Sequence, residues 1–132
     1  MSITSEQARE LAQQFRELSV QLGNYRFDNW GDMTAARRRQ IESVEWTLLN
    51  YSSDFIDTAV GITLDDTERD FAAIVRATKR ARRAIRRIEA VRDVVKVATA
   101  LVVLGGAIAS QNPGAIVSSA RDLVETVGDA LD

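Results

Sequence analysis

The chain has 132 residues, of which 45% are hydrophobic and 27% charged, with a net charge of −2 and a single proline. It contains neither Cys nor His, which excludes disulfides, thiolate nucleophiles, Cys/His zinc sites and every triad built on those residues. Its apolar residues recur at helical rather than alternating spacing, so the fold class read from the sequence is all-α, in one helical bundle domain covering 1–132.

The first residues carry no basic stretch followed by an apolar run, so no secretory signal is read. The location stays unassigned, cytoplasmic by default, with signal-less export open. A first helix is predicted over 5–22, capped by Thr4 with Gln7 three residues on. Ala8, Leu11, Ala12, Phe15, Leu18 and Leu22 form its apolar stripe, and Gly23 is its expected stop. Residues 23–33 hold two glycines and two asparagines and are read as a loop. Its aromatics, Tyr25, Phe27 and Trp30, either plug the bundle end or form a recognition surface.

A second helix is predicted over 34–60, with Gly61 after it. Ile41, Val44, Leu48, Tyr51, Phe55 and Ala59 form its main stripe, broadened by Leu49, Ile56 and Val60. Trp46 lies off the stripe. The carboxylate pairs Glu42/Glu45 and Asp54/Asp57 are read as surface charges, and no His joins them for a metal site.

A long third helix is predicted over about 66–104, extending to 109 in its longest form. Asp65, Asp66, Glu68 and Asp70 suit its positive N-terminus. Ile74, Ala77, Ala81, Ala84, Ile88, Val91, Val95, Ala98 and Val102 step by 3 and 4 without a miss, the a/d spacing of a coiled-coil seam. Asn112 and Pro113 mark the start of a last helix, with Ile116, Ala120, Leu123, Val124, Val127 and Leu131 on its apolar face. The expected architecture is therefore a four-helix bundle with one long central helix.

Charge is unevenly distributed along the chain. Residues 1–70 carry a net charge of −6, residues 71–96 a net charge of +7 and residues 97–132 a net charge of −3. Arg76, Lys79, Arg80, Arg82, Arg83, Arg86 and Arg87 form a basic ridge off the seam. That ridge either neutralises acidic helices or meets an anionic partner: protein, anionic membrane or, less favoured, nucleic acid. Residues 97–109 carry no charge. Such a segment, with Leu101, Val103, Leu104, Gly105, Gly106 and Ile108, is a core helix, an oligomer contact or a stored membrane-inserting element. The functional expectation is a non-catalytic protein acting by binding or self-association, with no cofactor, no metal and no small-molecule substrate.

Overall fold

The computed structural model describes residues 2–132. It is all-helical, with five helices packed together: α1 (Ser5–Asp28), α2 (Ala35–Thr58), α3 (Thr67–Ile85), α4 (Val91–Ala109) and α5 (Pro113–Leu131), plus a 3₁₀ turn at Trp30–Asp32.

The helix starts follow the local chemistry. Thr4 Oγ1 accepts from the Gln7 amide at 3.1 Å, and the Thr4 amide donates to Gln7 Oε1 at 3.0 Å, closing the predicted capping box. Asn112 Oδ1 accepts from the Ala115 amide at 3.1 Å, with Pro113 in the first turn. At α3 the cap comes from the predicted acidic cluster: Asp66 Oδ1 accepts from the Arg69 amide. After α2, Gly61 takes a left-handed φ of 86°, the conformation glycine accepts without strain.

Two boundaries differ from the sequence reading. α1 runs through Gly23 to Asp28, because Leu18, Leu22 and Tyr25 continue its buried face. A Cβ on Gly23 would lie 2.9 Å from Glu45 Oε1. The glycine therefore admits the Glu45 carboxylate to Arg26, which it binds at 2.7 and 3.2 Å. The second difference is larger. The long central helix is two helices, α3 and α4, separated at 86–90, so there are five helices and not four.

Geometry and charge both account for that break. One helix from Thr67 to Ala109 would run about 64 Å, whereas α1 and α2, at 24 residues each, offer about 36 Å of partner. Breaking the rod costs a few backbone hydrogen bonds, each worth about 1 kcal/mol net. Folding back buries Val94, Val97, Leu101, Leu104 and Ile108, at about 1.5–3 kcal/mol per side chain, so burial wins. The charges are arranged to match, with Arg82 and Arg83 in the last turn of α3 and Asp93 in the first turn of α4. Cations suit the negative end of one helix and an anion the positive end of the next.

The helices close into a ring in the order α1, α2, α4, α5, α3, and α3 and α4 barely touch. α1 and α2 are antiparallel. Ser52 Oγ donates to the Ala12 carbonyl at 2.6 Å and Ser19 Oγ to the Glu45 carbonyl at 2.8 Å. α3 runs parallel to α1, as the pairs Thr78/Gln14, Arg82/Glu17 and Arg86/Gln21 step along both helices together. One core fills the ring, with Phe15, Leu18, Leu48, Phe55, Ile74, Ile85, Leu101, Leu104, Ile116 and Leu123 all buried. Phe15 meets Phe55 edge-on at 4.9 Å.

The seam residues are divided between the two helices. Ile74, Ala77, Ala81, Ala84, Ile88, Val95 and Ala98 are buried, while Val91 and Val102 are half-buried. The seam is thus covered by the chain's own helices and offers no continuous face for self-association. Leu101, Leu104, Gly105 and Ile108 are likewise inside, Gly106 is half-buried, and only Val103 of the predicted contact residues is exposed. Among the described residues, no helix is long and apolar enough to cross a membrane. The glycine pair serves packing: a Cβ on Gly105 would come within 2.4 Å of the Tyr51 ring and 3.0 Å of Phe15.

Candidate functional site: a cationic trench over α1

α1 lies between α2 and α3 in the ring, so its outer face is the floor of a trench. Arg9, Gln13, Arg16 and Val20 line that floor, α2 contributes Ser52 and Ile56, and α3 contributes Arg82, Arg83 and Arg86. The hollow measures about 760 Å³. Of its charged lining residues, five are arginines and one, Glu17, is an acid.

The α3 wall is braced from below. Arg82 pairs with Glu17, and Arg86 Nε donates to Gln21 Oε1 at 3.1 Å. Deeper in the interface, Thr78 Oγ1 donates to the Val75 carbonyl at 2.8 Å and stands 3.5 Å from Gln14 Oε1. Arg9, Arg16 and Arg83 are exposed and, among the described residues, make no ion pair. The α2 wall is different in kind. It contributes no charge: Ser52 is buried and Ile56, 50% exposed, lies toward the Arg9 end, whereas Val20, 57% exposed, lies on the α1 floor near the Glu17 end.

The predicted ridge is divided between two grooves. Arg82, Arg83 and Arg86 turn to α1. Arg80, Arg83, Arg86 and Arg87 also border a second groove beside Val124, Val127, Leu131 and Asp132 of α5. Arg76 and Lys79 are exposed outside the trench lining. α3 and α5 end at the same end of the bundle, so this part of the ridge sits by two negative helix termini, which offset its self-repulsion.

The aromatic segment also divides. Tyr25 is buried in α1, and its hydroxyl has no hydrogen-bond partner among the described residues. Burial, and secondarily Asp32, push its phenol above the ordinary tyrosine range. Phe27 and Trp30 are exposed and stack at 6.1 Å. Arg26 lies over Phe27 at 4.7 Å and Arg38 over Trp30 at 4.5 Å. Both guanidinium groups are already committed, Arg26 to Glu45 and Glu42 and Arg38 to the Trp30 and Met33 carbonyls. The Glu45 hydrogen bond raises Arg26 above the ordinary arginine range. This cluster closes the α1–α2 turn. It also accounts for Glu42 and Glu45, which partner a buried cation and are not free surface charges.

Arg9, Arg16 and Val20 are absent from the sequence-predicted site. Their signal was available, since 9, 13, 16 and 20 share one helical face, but it lay opposite the apolar stripe. Ile56 was placed on the buried stripe of α2, and Ile56 and Val60 are both exposed. Among the described residues, no group of three or more His, Cys, Asp or Glu side chains is placed to hold a metal. No family model, curated protein or solved structure matches this chain.

Proposed function

We propose that this protein is a non-catalytic helical binding protein that docks an acidic protein partner in the trench over α1. The observation that carries this reading is the convergence of five arginines, from helices far apart in sequence, on one hollow lined by a single acid. Arg9, Arg16 and Arg83 are exposed there and, among the described residues, make no ion pair. Their mutual repulsion falls when a partner supplies carboxylates, and guanidinium groups bind these in bidentate fashion. A non-catalytic role also fits the lack of His and Cys and the use of Glu42 and Glu45 to hold Arg26.

The test is titration with fluorescent poly-glutamate at low ionic strength. Binding is expected to weaken steeply as salt rises. It should drop at least tenfold in the Arg9→Glu/Arg16→Glu double variant and hold in Arg76→Glu, whose charge lies outside the trench. Equal binding by wild type and the double variant would place the anion elsewhere and end the reading.

A further inference from the structure

Resting on that trench reading, we infer that the acidic partner is a second copy of this chain, whose carboxylates on α5 dock on the cations over α1. Asp122, Glu125 and Asp129 step by three and four along α5, which sets them on one helical face. All three are exposed and, among the described residues, make no ion pair. Lys96 borders the same groove as Asp122 and Asp129 and is likewise unpaired among the described residues. The opposite face of α5, with Ile116, Leu123 and Val127, is held in the core, so the carboxylates project from the bundle as a ridge. Several other acids are engaged within the chain: Glu17 holds Arg82, Glu42 and Glu45 hold Arg26, and Asp66 caps α3.

The two charged faces match in spacing and in order. Arg9, Gln13 and Arg16 are all exposed and step by four and three along α1, the reverse of the steps on α5. Arg9 and Arg16 are seven residues apart, as are Asp122 and Asp129, which is about 10.5 Å along each helix. With the two helices antiparallel, one register sets Arg9 against Asp129, Gln13 against Glu125 and Arg16 against Asp122 together. Each arginine then meets a carboxylate. Gln13 donates to Glu17 at 3.2 Å, and its amide has a second N–H to give to Glu125. A parallel arrangement fits less well, because the four-then-three steps of α1 fall out of phase with the three-then-four steps of α5.

The fold decides that this contact forms between chains. In the ring, α3 stands between α1 and α5 on one side, and α2 and α4 stand between them on the other. The ridge and the trench therefore point in different directions, and no chain reaches its own trench with its own ridge. A contact between two unlike faces is head to tail, so each pair of copies leaves one ridge and one trench free for the next.

The experiment is sedimentation of the full chain over a range of concentrations. At low ionic strength the mass is expected to rise with concentration beyond that of a dimer, and added salt should return it to the monomer. Arg9→Gln/Arg16→Gln and Asp122→Asn/Asp129→Asn should each weaken self-association at least tenfold. Mixed together, these two variants retain one working trench and one working ridge, so they should form a 1:1 pair and grow no further. Circular dichroism melts check folding, since all four positions are exposed. A chain that stays monomeric at low salt, association that either variant leaves unchanged, or a mixture that forms no pair overturns the inference. Binding of poly-glutamate by a chain that stays monomeric leaves the acidic-partner reading standing, with a different protein as the partner. Loss of poly-glutamate binding overturns both.

Discussion

α3 and α4 are both 19 residues long and continue one apolar spacing, yet they stabilise the molecule in different ways. α3 buries a single stripe in which Ala77, Ala81 and Ala84 alternate with larger residues such as Ile74 and Ile85, and turns arginines outward. α4 is apolar on nearly every face and sits where α2 and α5 meet it, with Leu101, Leu104 and Ile108 fully buried. An unbroken 3–4 spacing therefore records which residues are covered, not whether one helix carries them. Helix continuity depends on what lies beside the stripe: cations gathered at one helix end, acids at the next start, and a partner of sufficient length.

The contrast is broken most directly at Leu104. Leu104→Ala is expected to cost about 2–5 kcal/mol in urea denaturation, against less than about 0.5 kcal/mol for Arg83→Ala on the exposed face of α3. Similar values at the two sites would mean that α4 is not the buried member. Gly105→Ala comes next. Its methyl meets the Tyr51 ring, an overpacking cost of about 1–3 kcal/mol. In a Tyr51→Ala background the same change should cost markedly less, because the ring contact is gone and only the 3.0 Å approach to Phe15 remains. A double-mutant cycle measures that coupling.

The separation of the two helices is sharpened at Ala90, the N-cap of α4, which makes no side-chain capping bond. Ala90→Asp should add about 0.5–2 kcal/mol of stability. A loss there would indicate that the helix runs through. The smallest effect is expected at the brace between α3 and α1. The Arg82 and Glu17 side chains are each about a third exposed, so Glu17→Ala should cost no more than about 1 kcal/mol, and less as salt rises. Thermal melts at two ionic strengths read that difference.

How far the sequence carried each element follows from the range of its causes. Caps at Thr4, Thr34 and Asn112 depend on neighbours within three residues, and Thr4 and Asn112 were legible as caps for that reason. Gly23 as an interior helix residue was not, because its cause is Glu45, which comes into contact only when α2 folds back. The split at 86–90 was half legible. The change from Arg86 and Arg87 to Glu89 and Asp93 marks an end and a start by the helix dipole, but the apolar register runs across it. The trench was least legible. It needs α1 and α3 side by side, and nothing local to Arg9 or Arg16 points to Arg82.

The polar ladder between α1 and α3 joins residues 64 and 65 positions apart, whereas the α1–α2 bonds span 19 to 40. Pairings of such long range tend to form late in folding and release early. The expected outcome is that backbone amides of α3 exchange with solvent sooner than those of α4. A partner seated in the trench would clamp that joint, so occupancy should slow exchange in α3 well beyond the residues it touches.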